Sequence, residues 1–174
     1  PLAPWSNRIA EGGFDCPDGW LALTPNSLTD PLPIHGSAWQ QPWLVVSQSA
    51  NEVVLQLDSS TPFAYRARQR FQLNKGQLSI ELQVTHLAEQ AAWHGLGLHP
   101  YFPRTANTQL QATAEQVWLC NSSKLPTELI ELPADFDTGE LSTPQATVCD
   151  SVNDPEHGDC CFDTTEERDL IRED

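Results

Sequence analysis

Residues 63–84, FAYRARQRFQLNKGQLSIELQV, decide the fold class of this chain. In the first half of the stretch, apolar residues alternate with arginines, and in a β-strand such a period of two places the two sets on opposite faces. One face carries Phe63, Tyr65, Ala67, Phe71 and Leu73, and the other carries Arg66, Arg68 and Arg70. This half therefore predicts a strand with one buried face.

The second half of the stretch repeats the alternation after a turn. Asn74-Lys75-Gly76 has the composition of a tight turn. The following apolar face comprises Leu78, Ile80, Leu82 and Val84, and the polar face comprises Ser79, Glu81, Gln83 and Thr85. Two half-buried strands joined by a short turn predict a β-hairpin in an antiparallel sheet with one face on a core.

The rest of the chain favours an all-β fold. Helix-like stretches are scarce, and the 14 Pro and 9 Gly among 174 residues are typical of short strands joined by turns. Further strands are predicted at Trp43–Val46, Val53–Leu57, Trp93–Phe102 (ending in a turn at Pro100) and, as one or two strands, within Gln109–Cys120. Residues 1–42 indicate short extended pieces, and the chain after Asn121 shows little periodicity. We expect residues 1–174 to form a single, partial β-sandwich domain.

Charge and hydropathy exclude several classes of partner. The chain has 9 Lys and Arg against 24 Asp and Glu, a formal net charge of −15. Such a surface repels a phosphate backbone, so we expect no nucleic-acid partner and favour a neutral small-molecule substrate. No apolar run approaches the roughly 20 residues of a membrane-spanning helix, so we expect no membrane segment.

The five cysteines indicate a reducing compartment. Their number is odd, and Cys160 and Cys161 are adjacent, which is a poor pattern for a disulfide framework. The sequence contains no Cys-x-x-Cys pair, so a zinc site is not indicated. We therefore predict reduced thiols and a cytoplasmic location.

The row of arginines at 66, 68 and 70 allows two interpretations. It could bind a phosphate or carboxylate, or it could be a solvated outer face paired with Glu81 and other polar groups. We favour the outer face, because the alternation already accounts for the arginines.

Three patches hold candidate site residues, around Asn7 and Arg8, around His35, and from His94 to Phe102. Histidine is the natural proton donor or acceptor near neutral pH. His94 and His99 are five positions apart, so on a strand they would point to opposite faces, which disfavours a metal site built on this pair. Tryptophans could stack on sugar rings or belong to the core; four are candidates, namely Trp5, Trp39, Trp43 and Trp93.

Taken in order, the patches resemble a known family. Residues 4–9, PWSNRI, followed by Gly12-Gly13-Phe14, are similar to the P-[FW]-S-N-R-I…G-x-F block of aldose 1-epimerases. Residues 34–36, IHG, with Trp39 resemble their L-H-G…W block, and residues 95–102, GLGLHPYF, resemble their G-L-G-x-H-P-Y-F block. Residues 158–162, GDCCF, loosely resemble their L-D-x-x-F block. The resemblance covers about residues 1–163 and leaves 164–174 unassigned.

The resemblance implies an antiparallel β-sandwich of the galactose mutarotase-like supersandwich type. It implies exchange of the α and β anomers of a free aldose, with no cofactor and no metal. His99 would be the general acid on the ring oxygen, and Arg8, Asn7, His35 and Asp159 would bind the sugar. His94 matches no family block and receives no role.

Two departures from the family lead to alternatives. The chain starts on the N-R-I block, and the block that holds the family's basic Glu has no counterpart in it. We therefore expect an internal fragment that is nearly inactive alone. A hexose-6-phosphate 1-epimerase, a non-catalytic carbohydrate-binding β-sandwich and a purely structural β-domain are the alternatives, and the preferred aldose and the oligomeric state stay open.

Overall fold

The computed structural model describes residues 1–101 and 116–131. The chain forms two compact units, of which the first spans Pro1–His99 and the second begins at Pro100. In chain order the elements of the first unit are β1 (Gly13–Cys16), β2 (Gly19–Ala22), a short 3₁₀ helix (Ala38–Gln40), β3 (Leu44–Gln48), β4 (Glu52–Ser59), β5 (Tyr65–Asn74) and β6 (Gln77–His86). The second unit holds β7 (Gln116–Cys120) and β8 (Pro126–Glu131).

The predicted hairpin is confirmed as the pair β5–β6 within a four-stranded antiparallel sheet of order β3-β4-β5-β6. Its register runs from Tyr65 opposite His86 to Asn74 opposite Gln77. The two linking residues, Lys75 and Gly76, both have positive φ angles, 50° and 82°. Such turns match the right-handed twist of paired strands, which is why the short connection closes the hairpin.

The two faces of β5 are sorted as the alternation predicts. Tyr65 and Ala67 are fully buried. On the outer face, Arg66 pairs with Asp58 at 2.6 Å. Arg70 contacts Glu52 at 2.6 Å and Glu81 at 3.8 Å. The arginine row is therefore a solvated outer face with carboxylate partners, as predicted, and exposed pairs of this kind add little to stability.

The core lies at one end of this sheet. Its buried cluster comprises Ala3, Ala38, Leu57, Tyr65 and Ala67, against which Trp43, Phe63, Val84 and Leu96 pack. The hydroxyl groups of Tyr65 and Ser37 lie 2.7 Å apart, so the aromatic ring is buried with its polar end satisfied. At the hairpin's turn end the same face is open, with Leu73 and Leu78 more than half exposed.

Of the other predicted strands, some are confirmed in whole or in part and one is wrong. The strands at Trp43–Val46 and Val53–Leu57 are confirmed as β3 and β4, and the Gln116–Leu119 part of the next prediction is confirmed as β7. The strand predicted at Trp93–Phe102 is wrong over residues 93–101, where a single bridge at Gly97 is the one strand-like residue. The cause is that its backbone hydrogen bonds join it to an N-terminal segment that is itself irregular.

Strand β8 was not predicted. Its residues 126–131, PTELIE, do not alternate, and the turn before the strand is closed by Asn121. The Oδ1 atom of Asn121 accepts hydrogen bonds from the backbone N–H of Ser123 and Leu125, at 2.9 and 3.1 Å, and folds the turn that returns the chain to β7. Pairing with β7 thus overrides the weak local pattern.

In the described ranges, 1–101 and 116–131, no helix has the length and apolar character needed to cross a membrane. Within these ranges, Cys16 is a free thiol. The expectation of one domain over residues 1–174 stays a prediction.

Candidate functional site

The N-terminal segment lies between the two other motif-bearing segments of the first unit. On one side, Leu2 and Gly97 exchange two backbone hydrogen bonds, of 2.8 and 3.0 Å, and the N–H of Gly95 donates to the carbonyl of Pro4 at 2.8 Å. On the other side, the N–H of His35 donates to the carbonyl of Asn7 at 2.8 Å. The three patches that sequence analysis singled out are therefore neighbours in space.

Backbone conformation brings the loop with His35 close to the N-terminal segment. Asn7, His35 and Gly36 all have positive φ angles, of 54°, 62° and 66°. At Gly36 a Cβ atom would lie 2.0 Å from the carbonyl oxygen of Ala3. A glycine is required there both for the left-handed conformation and for the close approach of the His35 loop to the N-terminal segment.

Asn26 clamps the same loop through its side chain. Its Oδ1 atom accepts the backbone N–H of Ile34 at 2.7 Å, and its Nδ2 atom donates to the carbonyls of Ile34 and Gly36 at 2.8 Å each. These bonds hold the backbone on both sides of His35. Sequence analysis missed Asn26, because an asparagine in a region rich in turns gives no signal of a partner eight to ten residues away.

The imidazoles of His35 and His99 meet in an edge-on arrangement. Their ring centroids lie 5.7 Å apart at an interplanar angle of 75°, and Trp39 approaches His35 at 6.4 Å and 83°. Trp39 is 45% exposed, while its indole N–H donates to the carbonyl of Gly36 at 3.1 Å. A partly exposed indole thus lies beside His35.

Burial keeps His35 neutral. It lowers the pKa of His35 from 6.5 to about 4, and the nearby positive charges of His99 and Arg8 act in the same direction, against a smaller opposing effect of Asp30. At neutral pH the ring therefore has one N–H donor and one acceptor. A neutral His35 also places no second positive charge beside His99 when that residue holds a proton.

The side chain of Arg8 is fixed by an acidic partner. Its Nε atom donates to Oδ2 of Asp30 at 2.7 Å, and NH1 reaches Oδ1 of Asn7 at 3.4 Å. The other oxygen of Asp30 accepts the backbone N–H of Leu32 at 3.0 Å, so the carboxylate is itself held. Sequence analysis did not find Asp30, whose distance of 22 positions from Arg8 follows no periodicity.

A second histidine pair lies at the end of β6. Nδ1 of His86 is 3.0 Å from Nε2 of His94, and both rings contact Phe63. His94 therefore faces Phe63 and His86, whereas His99 faces His35. The two histidines have different neighbours, although residues 93–101 do not form the strand on which the predicted separation rested. Sequence analysis gave His94 no role and did not single out His86.

One predicted site residue lies beyond this part of the chain. Asp159 lies outside the described residues, so its place in the site stays a prediction. Among residues 1–101 and 116–131, no group of three or more His, Cys, Asp or Glu side chains could hold a metal ion.

Comparisons with known proteins give a family and two curated relatives. The family described as aldose 1-epimerase matches residues 1–174. An uncharacterised Escherichia coli K12 protein, YphB, is 34% identical over 139 residues, which cover 79% of this chain and 48% of YphB. A second, YihR, is 28% identical over 137 residues, covering 74% of this chain and 44% of YihR. The chain thus spans about half the length of the curated relatives it matches.

A solved structure gives the same result for the fold. The crystal structure of a proposed aldose 1-epimerase from Escherichia coli K12 superposes with a TM-score of 0.71 at 32% identity, covering 79% of this chain and 48% of that one. The predicted all-β, antiparallel sandwich class is therefore confirmed.

Proposed function

We propose, from the premise that this chain belongs to the aldose 1-epimerase family, that it forms part of an enzyme that exchanges the α and β anomers of a free hexose such as glucose or galactose. The observation that carries the proposal is the meeting of His35 and His99, at 5.7 Å between ring centroids, beside an arginine fixed by Asp30. A neutral, polyhydroxylated ligand suits a chain of net charge −15 better than an anion does.

The proposed reaction opens and recloses the sugar ring. His99 donates a proton to the ring oxygen while a carboxylate removes the proton from the anomeric hydroxyl, so that the bond between C1 and the ring oxygen breaks and C1 becomes an aldehyde. Rotation about C1–C2 and attack of the freed hydroxyl on the other face of the carbonyl complete the exchange, and both protons return. Each positioned acid or base of this kind contributes about 10²–10⁴-fold to the rate.

The other residues are proposed to orient the sugar. A neutral His35 can donate one hydrogen bond and accept another, which suits hydroxyl groups. Arg8, held through Nε by Asp30, can present its remaining N–H groups as donors, and Asn7 offers an amide. Asp159 is proposed to bind sugar hydroxyls on the strength of its motif alone.

The carboxylate base is not proposed among these 174 residues. In the family it belongs to a Glu block beyond the L-D-x-x-F block, and the charged residues 164–174 do not match it. We therefore expect the chain alone to exchange anomers at close to the uncatalysed rate.

Polarimetry of freshly dissolved α-glucose tests the proposal. The samples are the 174-residue chain, the whole protein encoded by the gene that contains it, and His99→Asn in that whole protein. We expect rapid mutarotation for the whole protein, a loss of about 10²–10⁴-fold for His99→Asn, and almost none for the chain. Arg66→Gln, on the solvated face of β5, is the control and should keep full activity.

Each other outcome rejects a defined part of the proposal. Equal rates for the chain and the whole protein would refute the missing base, and normal activity of His99→Asn would refute its role as acid. Sugar binding without mutarotation by the whole protein would support the non-catalytic alternative.

The hexose-6-phosphate alternative gains no support from the structure. The arginines that could bind a phosphate lie on the outer face of the sheet, and Arg66 and Arg70 already have carboxylate partners. A cytoplasmic location is proposed on the cysteine pattern described above.

A further inference from the structure

The hydrogen-bond partners of the second histidine pair determine its tautomers. Nε2 of His86 lies 2.9 Å from the carbonyl oxygen of Gln90, and a carbonyl only accepts, so this nitrogen carries a hydrogen. A neutral His86 then has its lone pair on Nδ1, 3.0 Å from Nε2 of His94. When both rings are neutral, the N–H of His94 donates to Nδ1 of His86, which in turn donates from Nε2 to Gln90.

The ring of His94 is partly buried and packed on one side. Its ring packs edge-on against Phe63 at 4.9 Å between centroids, and its Nδ1 atom is buried without a hydrogen-bond partner in the described part of the chain. Burial, with a smaller contribution from the charge of His86, lowers the pKa of His94 from 6.5 to about 4, so the ring is neutral at pH 7.

The two ends of this pair belong to different parts of the first unit. His86 is the last residue of β6 and lies opposite the buried Tyr65 in the sheet register. His94 precedes Gly95, whose N–H donates to Pro4, and lies five positions before His99. The pair thus connects the rigid, core end of the sheet to the irregular segment on which the proposed general acid is carried.

We propose that His86 and His94 act as positioning residues for the segment 95–99, with His94 as its side-chain anchor and the end of β6 as the fixed support. Within residues 1–101 and 116–131 the segment belongs to no strand, and its backbone hydrogen bonds to the N-terminal segment lie at Gly95 and Gly97. A side-chain hydrogen bond of 3.0 Å between two partly buried rings supplies a further constraint next to these bonds. Only the consequence for catalysis rests on the proposed function, and the positioning itself does not.

The hydrogen bond can be observed directly by NMR on the 174-residue chain. With ¹⁵N-labelled histidine at pH 7, we expect Nε2 of His94 to be protonated and its Nδ1 to be unprotonated. A scalar coupling between Nε2 of His94 and Nδ1 of His86 should be present across the N–H···N bond. The absence of the coupling, or a protonated Nδ1 on a neutral His94, would overturn the proposal.

Amide hydrogen exchange measures the positioning itself. His94→Phe keeps a ring against Phe63 but removes the donor, and we expect it to accelerate exchange of the Gly95 and Gly97 amides by about tenfold, because a lost hydrogen bond with an unpaired partner weakens the local structure. Amides in the middle of β5 should keep their rates. His94→Gln, which retains an N–H donor, should restore part of the protection.

The controls separate positioning from a general loss of stability. Thr85→Ala, at an exposed position next to His86, should change none of these rates. Unchanged exchange at Gly95 and Gly97 in His94→Phe, or equal acceleration of all amides, would refute positioning. In the whole protein His94→Phe should lower kcat and leave KM nearly unchanged, and if the wild-type protein proves inactive, the exchange results still decide the proposal.

Discussion

Arg8 and Asp30 form an ion pair of 2.7 Å between Nε and Oδ2, and less than a fifth of either side chain is exposed. The carboxylate also accepts a backbone N–H through its second oxygen. A buried pair of this kind adds little net stability compared with apolar residues, but the removal of one partner leaves a charge buried and unpaired. The pair therefore makes the position of Arg8 depend on Asp30.

Asp30→Ala is expected to destabilise the chain by about 3 kcal/mol, since the Arg8 guanidinium stays buried without its partner. Urea unfolding followed by tryptophan fluorescence gives this free energy. The matched control is Asp58→Ala, which removes the exposed partner of Arg66 and should leave the unfolding midpoint almost unchanged. Equal effects of the two substitutions would contradict the burial argument.

Gly36→Ala and Gly76→Ala compare two glycines that both have positive φ angles, of 66° and 82°. At Gly36 the new Cβ would meet the carbonyl oxygen of Ala3 at 2.0 Å, whereas nothing lies within 4 Å of it at Gly76. Both variants bear a left-handed alanine, at a cost of about 1–2 kcal/mol.

Only Gly36→Ala must also separate the His35 loop from the N-terminal segment. We expect it to unfold at a clearly lower urea concentration than Gly76→Ala, and to lose protection of the His35 amide in hydrogen exchange. Similar midpoints for the two variants would show that the close approach does not need a glycine.

The stability of the chain should depend on two histidines at mildly acidic pH. The pKa values of His35 and His94 are lowered to about 4, mainly by burial, so the unfolded chain binds these protons more readily than the folded chain. The stability contributed by the neutral rings is complete above pH 6.5 and is lost as the pH falls toward 4.

We therefore expect the free energy of unfolding to decrease from pH 6.5 to pH 5, before most carboxylates are protonated. The double variant His35→Asn, His94→Phe should show a flatter dependence, and Thr85→Ala should keep the wild-type slope. The same slope in the double variant and the wild-type chain would contradict the assignment.

Local patterns in the sequence predicted the sheet, and long-range contacts limited what else could be predicted. The hairpin β5–β6 follows from alternation and a turn within 22 residues, and each arginine on its outer face follows with it. The site depends instead on contacts such as Arg8 with Asp30, which no periodicity relates. The resemblance to a family identified His35 and His99 as site residues, but not the residues that hold the site together.

In residues 93–101 a local pattern predicted a strand that does not form. Its apolar residues suggested a strand, yet the partners of Gly95 and Gly97 lie more than 90 positions away, in a segment that forms only isolated bridges. Strand formation requires a partner strand, which a local pattern cannot supply. His86 and His94 likewise become neighbours only when the chain returns from the end of β6.

Two leucines on the same face of the sheet should differ strongly in their importance. Leu57 is buried in the core cluster, whereas Leu73, near the hairpin turn, is 52% exposed. Because deletion of buried methyl groups removes both transfer free energy and packing contacts, Leu57→Ala should cost about 2–5 kcal/mol.

Leu73→Ala removes the same atoms from a site already open to solvent and should cost well under about 1 kcal/mol. Urea unfolding of the two variants at pH 7 measures the difference directly. Because the chemistry of the substitution is identical, the ratio of the two effects reports burial alone. A loss at Leu73 as large as that at Leu57 would show that the turn end of the face is covered in solution.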